Sequence, residues 1–166
     1  MKSQDFDPTS TAVPTSEPKM QALQPLHVKR IMVPIDFSKA SQKAFAYALR
    51  FAQQFGSEII LIHVLEPPAD SKQVENEVRR AEEKLQELAG TSPRTGSLYI
   101  NSTVRSGVAT HEIVEAATQL DVDLIITATH GVGGWKQTGM GSTASRVAHV
   151  ARCPVLIVRE KEHDFI

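Results

Sequence analysis

Leu124-Ile125-Ile126-Thr127-Ala128-Thr129-His130-Gly131 leads through a glycine-rich stretch to Gly141-Ser142, and this segment decides the reading of the chain. Its first part is a strand-sized apolar run. Gly131, Gly133, Gly134, Gly139 and Gly141 follow, more glycine than a simple turn needs. Ser142 opens a helical run that ends at Arg152-Cys153-Pro154, and Val155-Leu156-Ile157-Val158 is a closing apolar strand. Glycine lets backbone N–H groups approach an anion closely. The first turn of a helix presents N–H groups with no intrahelical partner. Strand, glycine loop and helix start together make a phosphate-binding design and point to a nucleotide.

Upstream, the same alternation repeats. Arg30-Ile31-Met32-Val33-Pro34-Ile35 reads as a short buried strand ending at Asp36. A helix is predicted from about Ser38 to Phe55, with Ala44, Tyr47, Ala48, Phe51 and Phe55 on its apolar face and Gly56 as its C-terminal cap. Ile59 to Val64 is apolar almost throughout, as a strand covered on both faces must be. Pro67-Pro68 break the chain before a helix from about Ser71 to Ala89, whose charged side is a solvated face. A loop from Gly90 to Gly96 leads to a third strand, Leu98 to Val104, whose mixed polarity suits a sheet edge. Gly107 opens the next helix, with Ile113, Val114, Ala117 and Leu120 expected to face inward. Regular alternation of strand and helix implies an α/β fold with a parallel sheet and helices on both faces.

Residues 1–27 form a tail rich in Pro, Ser, Thr and Gln, expected to be disordered because so few apolar groups cannot offset the entropy of ordering. The folded domain is expected over residues 28–166. A chain of 166 residues is one domain by default, and 41% apolar residues suffice for its core. The net charge of -1 and pI of about 6.6 carry no basic bias toward nucleic acid or a membrane surface. No apolar run reaches membrane-spanning length, and the N-terminus lacks the pattern of a secretory signal. Cys153 is the single cysteine, which excludes an internal disulfide and is compatible with a cytoplasmic location.

In an open parallel sheet, ligands bind beyond the carboxyl ends of the strands, where strand order reverses. If the strands ending at Asp36 and at Ala128 are neighbours, Asp36 and the glycine loop line one crevice. Asp36 then has several readings: acceptor for an adenine amine or a ribose hydroxyl, help in holding Mg²⁺, or N-cap of the following helix, a duty Ser38 performs equally well. Ser142 can cap its helix and still share the helix N–H groups with a phosphate. His130 reads as a loop hydrogen-bonder, Lys136 as a phosphate contact or a solvated side chain, and Trp135 as a lid or a packing group. His63 lies inside a strand as a satisfied core or strand-end residue.

Other chemistries find no support. No Gly-x-Gly-x-x-Gly follows the first strand, and no Gly-x-x-x-x-Gly-Lys-Ser/Thr exists. The six histidines show no metal-ligand spacing, and no general base is evident, so slow ATP hydrolysis ranks below binding. A phospho-receiver domain needs an acidic pair after strand one and an acceptor aspartate after strand three. Here Asp36 stands alone, and strand three runs into Arg105-Ser106-Gly107.

Taken together, Val33-Pro34-Ile35-Asp36-Phe37-Ser38, Ile62-His63-Val64, Thr129-His130-Gly131 with Gly141-Ser142 after nine residues, and Cys153-Pro154-Val155-Leu156-Ile157-Val158 resemble the universal stress protein family. The resemblance covers Val28 to Val158. It implies a five-stranded sheet in the order 3-2-1-4-5 and a homodimer built through the last strand, Val155 to Val158. For one branch of the family it implies a regulatory protein of the stress response that binds ATP or AMP. There Asp36 and Val64 would meet adenine and ribose, and Gly131, Gly141, Ser142 and Thr143 would hold phosphates. Pro34, Ile35, Ala128 and His130 complete the nucleotide-binding set, with Mg²⁺ reaching Asp36 through the nucleotide. Ala128 stands where the ATP-binding pattern has glycine, and this departure leaves a dimeric scaffold that binds no nucleotide as the alternative.

Overall fold

A computed structural model describes residues 25–66, 71–91, 98–129 and 141–159. Nine elements alternate along it: β1 (Arg30–Pro34), α1 (Lys39–Phe55), β2 (Glu58–Leu65), α2 (Ser71–Gly90), β3 (Ile100–Ser106), α3 (Ala109–Gln119), β4 (Leu124–Ala128), α4 (Ser142–Val150) and β5 (Val155–Val158). The sheet order is β3-β2-β1-β4-β5, and every pairing is parallel. The strand order therefore reverses between β1 and β4.

Alternation along the strands divides the core into two layers. Ile31, Val33, Ile59, Leu61 and Ile126 pack with Ala44, Tyr47 and Ala48 of α1 and Leu85 of α2. Met32, Ile60, Ile62 and Ile125 pack on the other face with Ile113 and Ala116 of α3 and Val147 of α4. Because both faces are covered, the central strands need apolar side chains at every position, and that is why they read as continuous runs. Most of these side chains are fully buried, and transfer of each Val, Leu, Ile or Met among them from water contributes about 1.5–3 kcal/mol.

Helix α1 starts and stops by local chemistry. The Ser38 hydroxyl accepts from the Ser41 N–H at 3.1 Å, and Gly56 takes the left-handed conformation (φ 70°) while its N–H donates to Ala52 O. The Asp123 carboxylate accepts from the Lys29 and Arg30 N–H groups at 2.8 and 2.9 Å, tying the start of β1 to the turn before β4.

Three expectations need correction. The third strand runs from Ile100 to Ser106 instead of Leu98 to Val104, because its register is set by seven pairs with β2. Leu120 does not face inward: it is the C-cap of α3 and 36% exposed, while Ala116 is fully buried. Phe55, in the last turn of α1, is 37% exposed and tilts against Phe51. In both helices the apolar stripe outruns the sheet it covers. The proposed disorder of the tail falls outside the described residues except at its last three positions. There Pro25, Leu26 and His27 are exposed before the chain enters the core at Val28.

Candidate nucleotide site

The site is built at the carboxyl ends of β1 and β4. These strands pair directly, Ile31 with Leu124 and Met32 with Ile125. Carried to the strand ends, that register sets Ile35 level with Ala128 and Asp36 level with Thr129. The Ile35 N–H donates to Ile62 O at 2.8 Å, and the Thr129 N–H donates to Val158 O at 3.0 Å, so both tips are still held by their outer neighbours.

At the first tip, the Asp36 carboxylate accepts from the Ser38 N–H at 3.1 Å and from the Ser38 hydroxyl at 2.6 Å. Ser38 spends its one hydroxyl proton on Asp36, which aims its lone pairs at the Ser41 N–H. The two candidate caps therefore work in series, with Ser38 as the cap and Asp36 as its support. Phe37 between them has a left-handed backbone (φ 64°), a conformation that costs a non-glycine residue about 1–2 kcal/mol. Tertiary contacts hold it: the ring lies 4.7 Å from the His63 ring, with the Lys84 ammonium 5.2 Å from its centroid. His63 is bound in turn to Ile35 O at 2.6 Å through Nδ1. A carbonyl only accepts, so Nδ1 carries the proton. His63 is thus satisfied within the protein, as its place in a strand suggested. The strained turn at Phe37 and the cation from α2 carry no signal in the sequence.

At the second tip, β4 runs through Ala128 and the chain returns at Gly141, whose N–H donates to Thr129 O at 2.7 Å. That bond fixes the start of α4 against the end of β4. Gly141 is the N-cap of α4 with no side-chain cap (φ −55°, ψ 149°), and its carbonyl accepts from the Ser145 N–H. Gly141 has no side chain with which to cap the helix, and the N–H groups of the first turn, as at any helix start, have no intrahelical acceptor. The positive end of the α4 dipole lies there too.

Ala128 has a negative φ, since Phe37 and Asp121 are the non-glycine residues of positive φ among the described residues. Its methyl packs in the layer under α1, whereas Val147 of α4 and Val64 of β2 belong to the opposite layer. The methyl therefore points away from the face that carries the helix start. Ile35 and Ala128, 3% and 8% exposed, can offer a ligand backbone but little side chain. Pro34, Asp36, Val64 and Thr143 are half-buried, and Ser142 is exposed. His130 and Gly131 lie outside the described residues, as do Trp135 and Lys136.

Away from the site, Cys153 lines a groove of about 270 Å³ with Ala117, Thr118, Asp121, Val122 and Arg152. Burial pushes its thiol pKa up, and the Asp123 charge adds to the shift. A raised pKa removes thiolate at neutral pH, which argues against a nucleophile. No helix among the described residues is long and apolar enough to cross a membrane.

The chain is a doubly wound α/β domain whose strand order reverses between β1 and β4, with Asp36 and the start of α4 at the ends of those strands. The chain belongs to the universal stress protein family: the model of that family matches residues 27–159. Universal stress protein A homolog 1 of Coxiella burnetii is 34% identical over 155 residues, covering 82% of this chain and all of the relative. A universal stress protein of Methanocaldococcus jannaschii is 31% identical over 145 residues, covering 82% of this chain and 85% of its own. Among solved structures, universal stress protein UspA from Lactobacillus plantarum superposes with a TM-score of 0.69 at 26% identity, covering 81% of this chain and 100% of that one. Two more distant structures share the fold: a universal stress protein in complex with cAMP (TM-score 0.67, 20% identity, 82% of this chain and 100% of that one) and one from Archaeoglobus fulgidus in complex with dAMP (TM-score 0.62, 19% identity, 80% and 98%).

Proposed function

We propose that this chain is a regulatory member of its family that binds an adenine nucleotide, ATP or AMP, at the β1–β4 edge. The observation that carries the reading is the direct pairing of β1 with β4, together with the bond from Gly141 N–H to Thr129 O that holds the start of α4 to the end of β4. In this reading Asp36 and Val64, with Pro34 and the Ile35 backbone, receive the adenine and ribose. Ser142 and Thr143, with the N–H groups of the first turn of α4, receive the phosphates. Gly141, held to Thr129 O, stands beside them. Its own N–H is already bonded, so its contribution is space. Ala128, His130 and Gly131 complete the set, and Mg²⁺ would enter with a triphosphate, near Asp36. Relatives crystallised with cAMP and dAMP support the ligand class. The test is mass spectrometry of ligand released by acid from the purified protein, with calorimetric titration of ATP and AMP. Retained adenine nucleotide or saturable heat supports the proposal. An empty protein and no heat at millimolar nucleotide reject it.

The same reading includes a homodimer through β5. That strand is an edge, paired on one side by β4, and Val155, Leu156 and Ile157 are only half-buried, with Val150 nearby 55% exposed. Ile157→Asp should convert a dimer to a monomer by light scattering. A monomeric parent chain, or a dimer untouched by the charge, rejects this assignment.

A further inference from the structure

We propose that His111, Glu112 and Glu115 form a binding site for a divalent transition-metal ion of the zinc class. All three lie in the first turns of α3, which begins at the carboxyl end of β3. One ligand atom from each converges, and the three atoms lie within 4.8 Å of one another. His111 Nδ1 is 3.3 Å from Glu112 Oε1 and 3.6 Å from Glu115 Oε2. A tetrahedral ion with bonds of about 2.0–2.2 Å sets its donor atoms about 3.3–3.6 Å apart. Both measured edges fall in that range before any side chain moves.

A single imidazole nitrogen carries at most one proton, and here that nitrogen faces a carboxylate oxygen of Glu112 and one of Glu115. A cation among the three would take one donor atom from each. One imidazole with two carboxylates suits zinc, cobalt or nickel better than the all-oxygen shells of magnesium or calcium.

Two contacts outside the cluster hold these ligands in place. Glu115 Oε1, its other oxygen, accepts from Gln119 Nε2 at 3.0 Å, and Gln119 Oε1 accepts from Arg105 of β3 at 2.9 Å. That chain orients the carboxylate from the sheet, as outer partners do for metal ligands. On the other side, Gly107 (φ 151°) makes room for Glu112: a Cβ there would lie 2.7 Å from Glu112 Oε1. Glu112 is accordingly lodged against the backbone, its side chain 16% exposed, while His111 is 70% exposed and accessible to an entering ion. The helix start favours the two negative charges of Glu112 and Glu115. Nothing in the arrangement depends on a nucleotide.

The experiment is calorimetric titration of the full chain, free of any affinity tag, with Zn²⁺ in the absence of nucleotide, repeated with Co²⁺ and visible absorption. The expected result is one saturable site with a tetrahedral Co²⁺ spectrum. His111→Ala and Glu115→Gln should each weaken Zn²⁺ at least about tenfold, and Cys153→Ser and His149→Ala should leave it unchanged. The substituted side chains of the first two variants are exposed, and thermal melts confirm their folding. Absence of a saturable site in the parent chain, or equal affinity in the His111 and Glu115 variants, overturns the proposal.

Discussion

Asp36→Ala, set beside Ser38→Ala, separates two duties that meet in one carboxylate. Ser38→Ala removes the hydroxyl that accepts from the Ser41 N–H at 3.1 Å, and loss of such an N-cap costs about 1 kcal/mol. Asp36→Ala removes an acceptor of two hydrogen bonds, from the Ser38 N–H at 3.1 Å and the Ser38 hydroxyl at 2.6 Å. Bonds to a charged group are worth about 1.5–3 kcal/mol, but water replaces part of them at a half-buried site, leaving a loss of about 1–2 kcal/mol. For a domain of this size each kcal/mol lowers the melting temperature by about 3–5 °C. Calorimetric melts should thus fall by about 4 °C for Ser38→Ala and about 4–8 °C for Asp36→Ala. Nucleotide affinity should divide the variants more sharply. If the carboxylate itself meets the ligand, Asp36→Ala loses at least about tenfold, which is one charged hydrogen bond. Ser38→Ala keeps the carboxylate and should lose less than about threefold. Equal losses in the two variants would show that Asp36 acts only by supporting the cap, and the assignment to the ligand would fall.

Other perturbations test the opposite tip and the thiol. Gly141→Glu should weaken nucleotide binding at least about a hundredfold in calorimetry, through like charge against phosphate. Its fold should persist, since φ −55° and ψ 149° suit any residue. Ala128→Gly removes a methyl buried under α1, and should lower stability by about 1–2 kcal/mol in a denaturant titration. It should change nucleotide affinity less than about threefold; a gain of tenfold or more would mean that the methyl obstructs the ligand after all. Alkylation of Cys153 should rise with pH about a midpoint above that of free cysteine, because burial raises its pKa. The sign for stability follows: the protonated thiol's contribution is full below the unfolded pKa and is lost as pH climbs through the higher folded value. An alkylation midpoint at or below that of free cysteine would contradict the burial.

The architecture was legible because its causes are local. Continuous apolar runs at Ile59–Val64 and Leu124–Thr127, stripes spaced by three and four, and Gly56 as a cap each report their own element without knowledge of the others. The five-strand order followed from family resemblance, and the pairing of β1 with β4 bears it out. Pairing is a contact between residues about ninety positions apart, which no periodicity encodes. The same limit explains what was missed. The capping series from Asp36 through Ser38 to Ser41 lies within six residues, yet its order depends on where one hydroxyl proton points. Left-handed Phe37 is stabilised by His63 from β2 and Lys84 from α2. The convergence at His111 escaped a search by ligand spacing because its partners are carboxylates held by Gly107 and by Arg105 through Gln119. On its own, then, the sequence determined the elements, their alternation and the chemistry available at each strand end. Tertiary structure alone decided which ends meet, which face the Ala128 methyl takes and which polar groups are already bonded, because those outcomes depend on distances between segments the chain separates.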